Sequence, residues 1–343
     1  MVKIAVFCND AAVSNNILPI LKKYAAKYTW YVYVHKDSPA WKIFQSNRID
    51  LIELEENADI KEELTKGDPD VVYVGTSWQN TTHLEFIKVA KTLQIRSIAA
   101  MDHWVNYRER FGYPHETWQD NLPDFITVND EDGYKTAKKF HFPNIIKLRF
   151  YALLEDITLF QNKKIKEHDS VLFISEPTQK VALTTFGDEN YWGFNEFDVC
   201  EEICKNMDIF ATDNLTIRLH PSDEPKKYDY LPSRYPNVHI QIESPYEKAL
   251  IDSLCENKII IGIDGFVLYE AMVLGKVSLS LIPSSKRECF VPLFEQNKIQ
   301  SISQDLKLDH FKNRNCTHQT ESFGIDFATM IDERIKTPTK RII

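Results

Sequence analysis

The chain has 343 residues, of which 43% are hydrophobic and 27% charged, and a formal net charge of -9. These proportions exclude a disordered or low-complexity class and suit two domains, each able to bury its own core. The acid excess argues against a nucleic-acid binder, which presents a basic face, yet leaves an anionic small substrate open because a pocket can be locally basic.

Apolar runs and helical spacings alternate from the start. Lys3–Cys8 reads as a buried strand, Asn15–Tyr28 as a helix, and Trp30–His35, Ile49–Leu54, Val71–Gly75 and Ser97–Met101 as further strands. A helix over Thr82–Leu93 follows the polar Asn80-Thr81-Thr82 cap. Phe125–Val128 and a helix around Asp130–Phe140 close the series, with Asn129-Asp130 expected as the cap. Short apolar strands separated by helices imply a parallel sheet covered on both faces.

The polar stretch Lys163–Asp169 reads as a linker. A second alternation follows: strands at Ser170–Ser175, Leu215–Leu219, Val238–Gln241, Lys258–Ile263 and Val277–Leu281, with helices near Phe194–Met207, Tyr246–Leu254 and Phe266–Leu274. The expected division is residues 1–162, 170–322, and a helical tail 323–343 that crosses back to the first domain. The fold class is therefore α/β, with two Rossmann-like parallel-sheet domains facing a cleft. Ligands of such sheets bind beyond the C-terminal strand ends, so the residues just after strands carry the functional expectation.

In Arg218-Leu219-His220-Pro221-Ser222, Pro221 stiffens the turn and aims His220 off the sheet edge, where a protonated imidazole would bond a phosphate oxygen unless the histidine simply caps the loop. Arg218 would counter donor charge or form a structural ion pair. In Ile259-Ile260-Ile261-Gly262-Ile263-Asp264-Gly265-Phe266, an apolar strand meets a glycine turn and a helix start, a ready anion site. Gly265 permits close approach, Glu270 lies one turn on, where a carboxylate can accept ribose hydroxyls, and Gly275 suits the helix C-cap. Ser175-Glu176-Pro177-Thr178-Gln179 follows another strand, and Ser175 or Thr178 would bind a diphosphate unless the segment is an ordinary turn.

His-Pro after one strand, and some forty residues later an apolar strand with a Glu-Ala-x-x-x-Gly-Lys helix, resembles the donor half of glycosyltransferase-B (GT-B) enzymes over residues 170–285. The segments are most similar to bacterial capsule and lipopolysaccharide transferases using CMP-activated acidic sugars such as Kdo and the nonulosonic acids. The resemblance implies that His220 contacts donor phosphate, that Asp264 and Gly265 meet phosphate or the sugar carboxylate, and that Glu270 grips the ribose; Pro221, Ser222 and Phe266 line the same donor site. Capsule-type relatives carry serines where this chain has Asp264-Gly265-Phe266. An aspartate repels phosphate, so Asp264 is expected at a sugar hydroxyl or the base, and UDP donors stay open.

The first domain is expected to supply the acceptor site. Met101 to Phe111 packs acid, imidazole, aromatic and guanidinium groups into one loop, a mixture that suits sugar recognition unless Asp–Arg pairs make it structural. Asp102 is the leading general base, with His103 its alternative or orienter and Asp10 the second candidate. Asn9, Ser77, Trp78, Trp104 and Arg108 are expected around the acceptor. No metal is expected: Asp68-Pro69-Asp70 precedes a strand and reads as a turn. No other cofactor is implied, so leaving-group charge falls to His220, a helix start and hydroxyls.

The six cysteines (Cys8, Cys200, Cys204, Cys255, Cys289, Cys316) show no metal spacing and suit a reducing cytoplasm. The N-terminus enters a strand too soon for a signal peptide, and no apolar run nears the ~20 residues of a membrane span. The tail Lys336 to Ile343 offers at most weak peripheral membrane contact. The preferred function is an inverting, metal-independent glycosyltransferase moving a sugar from a nucleotide donor to a glycan or glycolipid acceptor. The alternatives are a UDP-GlcNAc 2-epimerase-like isomerase, a CDP-polyol phosphotransferase and a non-catalytic sugar-binding module.

Overall fold

The computed structural model describes residues 1–77, 80–306, 320 and 322–335. Trp78, Cys316 and the basic tail from Lys336 lie outside the described residues. The chain forms two units, Met1–Glu155 with Gln319–Ile343, and Asp156–His318. The division falls inside a helix, Tyr151–Asn162 (α6), ahead of the polar stretch read as the linker, and the next strand already begins at His168.

Unit 1 holds a seven-stranded parallel sheet. Its strands are β1 (Val2–Cys8), β2 (Tyr28–His35), β3 (Ile52–Leu54), β4 (Val71–Gly75), β5 (Arg96–Ala100), β6 (Phe125–Val128) and β7 (Ile145–Lys147), in the order β3-β2-β1-β4-β5-β6-β7. Alternation along β1 feeds two cores: Ile4, Val6 and Cys8 pack with α1 (Ala11–Lys23), while Ala5 and Phe7 pack with α3 (Ile60–Gly67) and α4 (Thr82–Thr92). The direction of winding reverses between β1 and β4, the topological switch point of this sheet.

The helix expected to run to Tyr28 stops at Lys23, and Tyr28 instead opens β2. The misleading spacing has a tertiary cause: Tyr24 and Tyr28 both lie against Phe327, with ring centroids 5.8 Å and 6.0 Å away. Phe327, Met330 and Ile331 join the unit 1 core. The segment is stitched to β7 by Ile325 N–H on the Lys147 carbonyl (2.9 Å) and Arg149 N–H on the Ile325 carbonyl (3.0 Å). Gly324 makes this approach possible, since it has φ +78° and an added Cβ would lie 2.6 Å from the Leu148 backbone.

Unit 2 holds a six-stranded parallel sheet: β8 (His168–Ile174), β9 (Asn214–Arg218), β10 (His239–Glu243), β11 (Asn257–Gly262), β12 (Val277–Leu281) and β13 (Lys298–Ile299), in the order β10-β9-β8-β11-β12-β13. Val171, Phe173, Leu215, Ile217, Ile259, Ile261 and Leu279 face a core closed by Val199, Cys200 and Ile203 of α8 (Glu196–Lys205). Asn195 caps α8 in a reciprocal box with Asp198. The switch point lies between β8 and β11, which lead into α7 (Thr178–Phe186) and α11 (Phe266–Val273). Among the described residues no helix is long and apolar enough to cross a membrane.

Candidate functional site

Around the unit 2 switch point, four loops follow β8, β9, β11 and β12. The β9 loop is built on a buried polar network. Asp223 accepts the backbone N–H of His220 (2.9 Å) and the Ser175 hydroxyl (2.6 Å) through one oxygen, and Lys227 (2.8 Å) through the other. Lys227 also pairs with Glu196 at 2.7 Å, and Glu196 accepts the Gln179 N–H at 2.8 Å. Ser175, read as a diphosphate contact, is spent inside this network, where it also meets the Tyr228 hydroxyl at 2.9 Å. Tyr246 donates to the Pro221 carbonyl at 2.8 Å, closing the loop from the β10 side.

The loop is shaped for the His220 ring. Ser222 N–H donates to Nδ1 at 3.1 Å, with the Ser222 hydroxyl 2.7 Å from the same nitrogen. Burial and the cations Lys227 and Lys180 push the imidazole pKa down against the pull of Asp223. That shift favours the neutral ring over the protonated form expected from sequence, and with Nδ1 accepting Ser222 N–H the neutral ring carries its proton on Nε2. Thr178, the first residue of α7, is 2% exposed and its hydroxyl has no hydrogen-bond partner among the described residues.

Asp264, expected at a sugar hydroxyl or the base, has one carboxylate oxygen engaged within the protein. Its Oδ1 accepts the N–H groups of Phe290 (2.8 Å) and Val291 (3.2 Å), pinning the loop that follows β12. Glu176, to which sequence gave no role, accepts the N–H groups of Ile263 (3.1 Å) and Asp264 (2.7 Å), and burial raises its pKa. Gly265 lies close against that carboxylate: an added Cβ would sit 3.1 Å from Glu176 Oε1, so the side chain would have to yield by a few tenths of an ångström. Phe266 opens α11 directly behind it.

Arg218 proves structural. Its guanidinium is divided among Glu243, Ser253 (3.0 Å) and the carbonyls of Pro245 and Lys248. Glu270 is only 4% exposed, and burial together with Asp156 pushes its pKa up to about 8 against the opposing pull of Arg218. Among the described residues no hydrogen bond or ion pair joins it to His220, whose electrostatic neighbours are different.

In unit 1 the loop after β5 is held by a buried pair: Asp102 Oδ1 lies 2.5 Å from Arg110 Nη1, with the side chains 7% and 5% exposed. Arg110 also bonds the Thr76 carbonyl (3.2 Å) and hydroxyl (2.9 Å). Asp102 is therefore an anchor rather than an open base. Trp104 is buried and donates its indole N–H to Asp130 at 3.0 Å, with the His103 ring edge-on at 5.0 Å. Asp130 caps the helix Glu131–Lys139 (α5) through Gly133 N–H. Arg108, expected near the acceptor, lies over the rings of Tyr113 (3.9 Å) and Phe140 (4.8 Å). Ser77 Oγ accepts Asn80 N–H at 3.0 Å.

Asp10, following β1 at the unit 1 switch point, is partly exposed and accepts Asn9 Nδ2 on Oδ1 at 2.9 Å. Asp68 and Asp70 lie ahead of β4 and bind Lys3, through its ammonium (3.2 Å) and its N–H (2.8 Å) respectively. Among the described residues no group of three His, Cys, Asp or Glu side chains is arranged to hold a metal.

No family model matches the chain, and no curated protein sequence matches it. Solved structures do. The UDP-GlcNAc 2-epimerase of Neisseria meningitidis bound to UDP-GlcNAc aligns with a TM-score of 0.59 at 14% identity, covering 94% of this chain and 98% of that one. S. aureus MnaA with UDP aligns at 0.57 and 12% identity, covering 98% and 89%. Acinetobacter baumannii MurG aligns at 0.52 and 10%, covering 82% and 78%. At such identities the likeness is one of fold, and the fold is GT-B.

Proposed function

We propose that this chain is a nucleotide-sugar enzyme whose unit 2 binds a UDP-sugar and whose chemistry breaks the bond between the anomeric carbon and the diphosphate. The observation that carries this reading is the fixed His220 turn, in which Asp223 accepts the His220 backbone N–H and the ring Nδ1 accepts Ser222 N–H, leaving Nε2 as the ring's donor at the C-terminal edge of the sheet. As that bond breaks, negative charge grows on the diphosphate. A preorganised N–H donor, exposed Lys180 nearby and the unsatisfied Thr178 hydroxyl are groups that stabilise it without reorganising. Asp10 is the carboxylate best placed to move a proton, because Asp102 is committed to Arg110.

Isomerisation at C2 of UDP-GlcNAc is the preferred reaction. It is supported by the recurrence of UDP-GlcNAc 2-epimerases among the similar structures, including the Neisseria meningitidis enzyme, which matches over 94% of this chain and 98% of that one. The Neisseria meningitidis and S. aureus neighbours favour UDP over CMP, since they are bound to UDP-GlcNAc and UDP respectively. Transfer to an acceptor is the second reading, favoured by the resemblance of residues 170–285 to capsule transferases, and it uses the same donor half. Incubation with UDP-GlcNAc alone separates the two: NMR detection of the C2 epimer is the expected result. UDP release that depends on an added glycan acceptor, with no epimer, would replace isomerisation by transfer. The reading gives no metal a role, so activity is expected to survive EDTA; loss reversed by Mg²⁺ or Mn²⁺ would refute that part.

A further inference from the structure

The loop after β12 holds a guanidinium that the fold positions by stacking and charge, with no hydrogen bond taken from its donors among the described residues. Both ends of this loop are fixed. Ser284 Oγ donates to the Trp192 carbonyl at 2.6 Å and accepts Lys286 N–H at 3.1 Å, while Asp264 holds Phe290 and Val291. Between these anchors Arg287 lays its guanidinium over the Trp192 ring, 4.7 Å from the centroid, with its side chain 17% exposed. Its nearest carboxylate oxygens, Glu176 Oε2 at 3.9 Å and Asp264 Oδ2 at 3.8 Å, lie within ion-pair range but beyond hydrogen-bond range. Each of those carboxylates has spent its other oxygen on two backbone N–H groups. The guanidinium is thus charge-compensated and rigidly backed, yet neither acid takes up its fork of donors. That arrangement suits bidentate recognition of an anionic oxygen pair, and it has lost little further freedom to give up on binding.

Position supplies the rest. Glu176 and Asp264 belong to the two loops of the switch point, so Arg287 stands where ligands of this sheet type bind. His220 follows β9 and Arg287 follows β12, on opposite sides of the β8/β11 pair. Three strand spacings separate their loops, ~14 Å, and the Arg287 side chain reaches inward from that distance. Building on the UDP-sugar reading above, we infer that Arg287 is a binding residue for the sugar-bearing phosphoryl group of the nucleoside diphosphate, clamping it from the side opposite His220.

The test is isothermal titration of the full chain with UDP, UMP and uridine, for wild type, R287K and R287A. Wild type is expected to bind UDP at least tenfold more tightly than UMP. R287A should flatten that ratio to about twofold while UMP affinity stays within twofold of wild type, which also reports an intact site. R287K retains charge and stem but not the fork, and should lose at least threefold of the UDP-to-UMP ratio even if R287A fails to fold. A ratio unchanged in R287K, or equal losses of UDP and UMP in R287A, would overturn the inference while leaving the UDP-sugar reading standing. Wild type that binds neither UDP nor UMP would sink the reading itself and the inference with it.

Discussion

His220 and Ser222 form a closed turn in which the serine N–H donates to the histidine Nδ1 at 3.1 Å. A nitrogen that accepts a backbone N–H carries no proton of its own, so the neutral ring must hold its proton on Nε2. Removing the ring removes the donor but not the loop, because Asp223 binds the backbone N–H of residue 220 whatever its side chain. H220A is therefore expected to lower turnover at least tenfold with Tm within a few degrees of wild type. Wild-type turnover in this variant would end the phosphate-contact role.

Two aspartates of unit 1 separate chemistry from architecture. Asp102 is buried against Arg110, and removing one member of a buried pair typically costs about 3 kcal/mol. D102N should accordingly show a clearly depressed Tm but a turnover per folded molecule within about threefold of wild type. D10N alters a partly exposed carboxylate whose hydrogen bond among the described residues comes from its neighbour Asn9, and should keep its Tm while losing at least a hundredfold in turnover. The reverse pattern, with D102N inactive but stable, would restore Asp102 as the base.

These contrasts show what was legible in the sequence. The parallel sheets were readable because fully buried strands are short unbroken apolar runs, as in Val71–Gly75 and Ile259–Ile261. The three-residue strand Ile145–Lys147 and the eight-residue helix Pro39–Ser46 were not, being too short to show a period, although Ser38 before Pro39 is a usable cap signal and does cap Trp41 N–H. His220 stood out through the proline that follows it. Asp223, Lys227 and Glu196 did not, because a buried polar network is assembled from residues distant in sequence. The same limit hid Arg287, whose neighbours Glu176 and Trp192 lie about a hundred residues earlier in the chain. Asp102, Arg218 and Asp264 have suitable chemistry in suitable loops, but only coordinates reveal that their groups are already engaged.

Glu270 links stability to pH. Its pKa is raised from 4.5 to about 8, mainly by burial, so between those values the folded chain binds more protons than the unfolded one. Stability from this group is full below about pH 4.5 and is lost as pH rises through about 8. E270Q, permanently neutral, should therefore melt higher than wild type at pH 8.5, with the difference shrinking towards pH 5. If the buried carboxylate is not a ribose contact, UDP affinity should change less than threefold. A tenfold loss of UDP affinity with no gain in Tm would return Glu270 to the nucleotide site.

Asp326 has the opposite sign. Burial alone would raise its pKa, but the Tyr24 hydroxyl at 2.6 Å, the Ala328 N–H at 2.9 Å, the Tyr151 hydroxyl at 3.0 Å and the ammonium of Lys23 at 3.4 Å outweigh it and pull the pKa down to about 2. These bonds tie the segment carrying Phe327, Met330 and Ile331 to the unit 1 core. The folded state binds fewer protons than the unfolded state between about pH 2 and 3.8, so this contribution is present above 3.8 and disappears as pH falls through about 2. D326N should lower Tm by several degrees at pH 7, and the gap to wild type should narrow steadily below pH 4. A gap that stays constant from pH 7 to pH 2.5 would mean that the side chain acts through packing, not through its charge.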